Sequence, residues 1–342
     1  MKPLSLRSDR GFSLPELLIS VTLLLMISAT VTSALMQMTN SNKTIWNRTQ
    51  LHAGVRSATE LLQQEVGQAG RIVLPGTSVT LAAAVASGAQ TVAIRVDGAA
   101  PATMNGFFVG EQLVIDVGGP TPCSVALPCQ ETVTVTAVNA AAKTITATFT
   151  YPHLLTGGVG VPVQALGGFA SGIVPPQPGY VNGSTASILK LYGDINGDGN
   201  MVYVEYKCDP MAANAAPTVA PPGTGNLYRN VMAYDQTSAK LAATVNQVLL
   251  SNIETNPGGT ACFTYMPNPL PVVGTDAFVL DVAITLTVRT QVKDPITNQY
   301  QTETKALLNV SPRNVFNVWQ LSSAGVTGRV QPIPPTVNLL LP

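Results

Sequence analysis

Charge is what this sequence has least of. Only 11% of its 342 residues are Asp, Glu, Lys or Arg, and with 18 basic and 18 acidic side chains the formal net charge is zero. A nucleic-acid partner is announced by clustered Lys and Arg, and no basic stripe occurs here. Histidine is limited to His52 and His153. His52 falls on the polar side of a helical pattern and reads as a surface residue, and His153 ends a strand pattern and reads as a capping or packing residue. A Ser-His-Asp triad therefore has few options, and neither a Gly-x-Ser-x-Gly elbow nor a phosphate loop occurs. The expectation is a protein that is not an enzyme. None of the 4 cysteines forms a CxxC, which leaves little for zinc. The most telling absence is local: the 22 residues Leu17–Met38 contain no Asp, Glu, Lys or Arg.

A charge-free run of that length suffices to cross a bilayer core, which takes roughly 20 helical residues. Lys2, Arg7 and Arg10 precede it, and one acid, Glu16, stands at its start. A carboxylate is expensive in hydrocarbon and reads as functional, with a partner to be named. A secretory signal differs, with an apolar core of roughly 7–15 residues ahead of its cleavage site.

The stretch Gly11-Phe12-Ser13-Leu14-Pro15-Glu16, followed by the apolar run, resembles the signature of type IV prepilins and type II secretion pseudopilins. Leader, cut site, acid and span coincide over residues 1–40. The resemblance implies cleavage between Gly11 and Phe12 by a membrane prepilin peptidase, with methylation of the Phe12 amine. It also implies that Glu16 pairs with the amine of a neighbouring subunit and orders assembly. Pro15 stands where many members carry a branched aliphatic residue.

Downstream of the span, Leu51, Val55, Ala58, Leu62, Val66 and Ala69 recur at spacings of three and four, one face of a helix. Gly70 is the expected stop, with Pro75-Gly76 behind it. A helix over 12–70 would be roughly 88 Å long at 1.5 Å per residue. Its part 12–38 would lie in lipid or filament and its remainder on a sheet, with Asn40-Ser41-Asn42 as a weak point between them.

The 29 Gly and 26 Pro, with frequent Thr, Val and Ala, indicate an extracytoplasmic β-rich body. Residues 77–165 read as an inserted β-rich module, or as a long first part of the main sheet. Glu131–Val138 and Thr144–Thr150 alternate with period two, which marks half-buried strands, and Asn139–Lys143 reads as the turn between them. The module is similar in pattern to a small β-barrel found in assorted surface and phage proteins. Residues 167–184 read as loop. Strands are then expected at Ala186–Tyr192, Met201–Cys208, Leu227–Tyr234, Gln247–Asn252, Ala261–Tyr265, Val279–Val292 and Gln301–Val310. Leu227-Tyr228-Arg229, Val248–Ile253, Phe263-Thr264-Tyr265, Val282–Val288 and Arg313-Asn314 resemble minor pilins of the W type and J-type pseudopilins. The implied class is α+β, a pilin-like fold with a long N-terminal helix packed on an antiparallel β-sheet over 166–322. A Pro-rich tail at 323–342 would be irregular or extended.

The even cysteine count in an exported chain favours disulfides. Of three pairings, Cys123–Cys129 with Cys208–Cys262 is preferred. Asp194, Asn196, Asp198, Asn200 and Glu205 fit the spacing of a calcium loop. Alternating oxygen side chains can converge on a hard cation, and Gly199 permits the turn. The same Asn-Gly and Asp-Gly steps are favoured in exposed hairpin turns, and both readings stand.

The resemblance thus implies a minor pilin of a type IV pilus. Its partners would be other pilins through the N-terminal helix, prepilin peptidase and the bacterial inner membrane, with a periplasmic body and later a cell-surface position. The alternatives are a J-type pseudopilin of type II secretion and a calcium-dependent adhesin.

Overall fold

The computed structural model describes residues 13–119, 129–155, 160–176, 180, 182–210, 225–234, 247–274 and 276–339. The chain is α+β, one long N-terminal helix followed by mostly antiparallel sheets. It divides into two compact units. One holds residues up to His52 together with Thr290–Gln301, and the other holds Ala53–Arg289 and Thr302 onward.

Helix α1 runs Leu14–Gln68, 55 residues, without a break at Asn40-Ser41-Asn42. The expected weak point is therefore absent, because three polar residues cost a helix little when nothing removes a backbone hydrogen bond. Within the larger unit, Val55, Ala58, Leu62, Val66 and Ala69 are buried, forming the expected stripe. Gly70 closes the helix in the left-handed region, at φ +81°, and its N–H donates to the Tyr192 carbonyl at 2.9 Å. A side chain there would be strained in backbone conformation.

Six strands follow: β1 Val79–Leu81, β2 Gly88–Val96, β3 Gln112–Ile115, β4 Glu131–Asn139, β5 Thr144–Phe149 and β6 Val161–Ala165. They close into an antiparallel barrel in the order β1-β2-β5-β4-β3-β6. Closure removes sheet edges that would otherwise pair with other chains. Alternation supplies the filling, since Val133, Val135, Ile145, Ala147 and Phe149 point inward from β4 and β5. The Asn139 side chain accepts from the N–H groups of Ala141 and Ala142, and Lys143 takes φ 56°, which makes the turn expected at 139–143. Strand β6 had no expectation attached to it. Its Pro162 breaks a strand signal in sequence, but it stands beside Asp116, just past the end of β3, where the missing N–H removes no ladder bond.

Next come β7 Gly168–Phe169, β8 Ile188–Gly193, β9 Val202–Asp209, β10 Asn226–Ala233 and β11 Gln247–Ser251. The last four form an antiparallel sheet in the order β11-β10-β9-β8. At Asn252, φ 61°, the chain steps to a second sheet. Its strands are β12 Ile253–Glu254, β13 Phe263–Met266, β16 Asp281–Arg289 and β17 Thr302–Val310, with a small hairpin of β14 Val272–Val273 and β15 Asp276–Ala277 between β13 and β16. The seven strands expected over 186–310 are present. Cys208 of β9 is bonded to Cys262, beside β13, with 6.4 Å between Cα atoms, so the bridge joins the two sheets. Cys129 is buried, and Cys123 lies outside the described residues.

The C-terminal part departs from expectation. Helix α2, Arg313–Ser323, buries Val315 and Val318 against Ala170, Phe278 and Leu280. Its apolar spacing of three was readable, but it lay beyond the last expected strand, in a span assigned as a whole to the β domain. The tail is ordered rather than irregular: β18 Val330–Gln331 pairs in parallel with β7, and a short helix α3 follows at Pro335–Leu339. Gln331 is fully buried. Its amide donates to the carbonyls of Gln112 at 2.7 Å and Leu166 at 2.6 Å, and its carbonyl oxygen accepts from the Gln112 N–H at 2.8 Å. One polar side chain thus satisfies backbone groups of β3 and of the residue after β6, which anchors the tail to the barrel.

Candidate functional site

The N-terminal segment begins with the first turn of α1. Gly11 and Phe12 lie outside the described residues, and Glu16 is exposed in that first turn. A carboxylate there faces the positive end of the helix dipole. Behind it the apolar side chains stand fully outward: Leu17 is 56% exposed, Leu24 63% and Met36 64%. The most apolar 18-residue window has a mean hydropathy of 2.1 and no buried residue, so α1 is long and apolar enough to cross a membrane. Three hydroxyls inside the run and one just past it bond back to the helix. Ser20 donates to the Glu16 carbonyl, Thr22 to Ile19, Thr30 to Ile27 and Thr39 to Leu35, at 2.8 Å each. Such back-bonding lets hydroxyls sit in hydrocarbon without unmet donors. Glu16 remains as the one ionisable group between Leu14 and Met38.

Where the second half of α1 meets the sheet, the contact is polar as well as apolar. Glu65 is buried and receives the Arg229 guanidinium from β10 and the Tyr206 hydroxyl from β9. The Nε of Arg229 lies 3.1 and 3.2 Å from the two carboxylate oxygens. Burial and the neighbouring carboxylate push the Tyr206 hydroxyl well above its ordinary pKa, so it serves as a neutral donor. An ion pair of this kind fixes the rotation of a helix on a sheet, because any other register leaves a charge buried without its partner.

The candidate calcium loop joins β8 to β9. Asp194 is buried. One of its oxygens accepts from the Asp198 N–H at 3.1 Å, and the other faces Arg71 at 3.6 Å. Asp198 accepts from the Asn200 N–H at 2.9 Å. Asn196 is exposed. Glu205 sits within β9, opposite Lys190 and Asn230 in the register, and accepts from the Tyr203 hydroxyl at 3.0 Å. These carboxylates close a tight turn and a strand contact. Among the described residues, no group of three or more His, Cys, Asp or Glu is gathered to hold a metal ion.

No family model, curated protein or solved structure matches this chain.

His153 occupies one end of the barrel. Its ring is buried, with Nε2 2.8 Å from Glu131 and Nδ1 3.6 Å from Asp116, and it lies edge-on to Phe149. Glu131 also accepts from the Thr150 N–H at 3.0 Å. The expected packing role fits a ring that ties β4 to the chain leaving β5. Sequence reasoning passed over Glu111, which is fully buried; burial pushes its carboxyl well above the usual range. Its isolation between Gly110 and Gln112 carried no signal, since only the closed barrel and its neighbours take it out of water.

Proposed function

We propose that this chain is a minor pilin of a type IV pilus, a structural subunit cut between Gly11 and Phe12 by prepilin peptidase and methylated at Phe12. One observation carries the reading. The acid at the fifth position after the cut, Glu16, stands in the first turn of a 55-residue helix whose apolar part is wholly uncovered. An apolar surface of that extent must be covered by lipid or by other helices. The same side chains would serve twice, first in the inner membrane and then in a filament core. In that core the Glu16 carboxylate would pair with the Phe12 amine of a neighbour, because an unpaired charge in low dielectric is costly. A periplasmic body with a sheet-joining disulfide, Cys208–Cys262, is consistent with this route.

The J-type pseudopilin reading shares the leader and the sheets. The added surface of the barrel favours a pilus, where a subunit at or near the tip presents it. Two tests separate the readings. Gly11→Ala is expected to block processing, and a mature-size band in that variant removes the cut-site assignment. Deletion of the gene is expected to lower piliation; normal piliation with lost secretion assigns the chain to a type II system, and normal piliation with lost attachment assigns it to adhesion.

A further inference from the structure

The smaller compact unit contains more than the helix. The turn between β16 and β17, Thr290–Gln301, belongs to it. At the base of this turn the Thr290 N–H donates to the Gln301 carbonyl at 2.8 Å, and Arg48 of α1 donates through Nε to the Gln301 side chain at 3.0 Å. One helical turn nearer the N-terminus, the Thr44 side chain hydrogen-bonds Asp294. The turn therefore folds back along α1 towards the apolar run, with Asp294 level with Thr44.

Asp294 holds the turn in shape. Its carboxylate accepts from the N–H groups of Ile296 at 2.7 Å and Thr297 at 3.0 Å and from the Gln301 amide, and it is buried. The Thr297 and Ile296 backbone bonds hold its pKa below the usual carboxylate range. The acid of the turn is thus spent inward. The outward surface is apolar and basic. Val292 is 60% exposed, Ile296 65%, Ile45 63% and Trp46 71%. Lys43, Arg48 and Lys293 are exposed beside them. No acid of the described part of this unit other than Glu16 and Asp294 is available to balance those three cations.

Position decides what covers this surface. Thr44 lies six residues beyond Met38, about 9 Å along a helix axis. The interfacial layer on each side of the hydrocarbon core is roughly 5–8 Å deep, so Thr44 stands at its outer margin. Tryptophan with neighbouring aliphatics suits that layer, and Lys and Arg there are drawn to anionic headgroups.

We propose that the Thr290–Gln301 turn and the Lys43–Arg48 segment form a collar that seats in the anionic headgroup layer of the membrane crossed by α1. The collar is a second membrane contact that fixes how far the helix protrudes before the chain is extracted. The inference rests on Leu17–Met38 being a membrane span.

The test uses the full chain in vesicles of phosphatidylcholine and phosphatidylglycerol carrying lipids brominated near the headgroup or deep in the acyl chain. Ile296→Trp in a Trp46→Phe, Trp319→Phe background reports on the turn, and Leu25→Trp in the same background reports on the span. The expected result is shallow-bromine quenching at position 296 and deep-bromine quenching at position 25, with the former weaker in pure phosphatidylcholine. Quenching at 25 without quenching at 296 overturns the collar and leaves the span intact. Quenching at neither position overturns both. Equal quenching at 296 in the two lipid compositions overturns the assignment to anionic headgroups. Protection of position 296 only in assembled filaments gives the surface to a neighbouring copy and overturns the lipid assignment.

Discussion

Replacing Arg229 by alanine removes the partner that Glu65 needs to be buried. The side chain of Glu65 is 6% exposed and that of Arg229 17%. Breaking a buried pair by deleting one partner costs about 3–5 kcal/mol, because the remaining charge stays out of water. Arg229 is partly wet, which lets solvent screen the site, so the lower end, about 3 kcal/mol, applies. For a unit of this size each kcal/mol moves the midpoint by about 2–4 °C, so Arg229→Ala should lower Tm by about 6–12 °C. The assay is thermal unfolding of the full chain in detergent, followed by far-ultraviolet circular dichroism. The double variant Glu65→Leu, Arg229→Met removes both charges and should recover part of the loss, since apolar replacement of a buried pair is often neutral while the Tyr206 hydroxyl loses its acceptor. A drop under about 2 °C for Arg229→Ala, or a double variant as unstable as the single one, refutes the reasoning.

Four further outcomes are expected. Removing the Cys208–Cys262 bridge with paired Cys→Ser changes frees a loop spanned by a sequence separation of 54 and should cost about 4 kcal/mol by loop entropy, read from denaturant unfolding; a loss below about 1 kcal/mol contradicts this. Glu111 has a raised folded pKa, so the native state holds an extra proton above about pH 4.3 and stability falls as pH rises from there towards the folded value. Glu111→Gln should abolish that slope, and parallel Tm-against-pH curves for the two proteins contradict the assignment. A side chain at Gly167, φ +71°, would run into the Arg329 carbonyl, so Gly167→Ala should undock β18 and open the chain at Arg329 to trypsin; unchanged proteolysis refutes it. Glu16→Ala should leave cleavage intact and reduce incorporation into filaments, measured by immunoblot of sheared pili, with normal incorporation removing its pairing role.

Much of the architecture was legible from period alone. The stripe from Leu51 to Ala69 and the alternation in Glu131–Val138 each encode one buried face, and each is local. What escaped was set by contacts distant in sequence. Helix α2 carries only Val315 and Val318 as buried apolar anchors, and the partners that make them a core, Phe278 and Leu280, lie far upstream. The tail looked irregular because prolines dominate it, yet Gln331 and Val337 are fully buried through partners more than 100 residues away. The loop at Asp194–Asn200 is a case where one pattern serves two physical ends. Oxygen side chains at alternate positions suit a cation and also cap backbone N–H groups, and the Asp194 and Asp198 carboxylates show the second use. The N-terminal segment differs again: its apolar length was readable, and none of the described residues buries it.

The cut between Gly11 and Phe12 is tested most directly by the intact mass and N-terminal sequence of the protein recovered from its host's membranes and sheared filaments. The expected product is a chain that begins at Phe12 with a methylated amine and keeps the whole apolar run. A chain that begins at Met1, or one cut behind the apolar run so that α1 loses its first half, contradicts it.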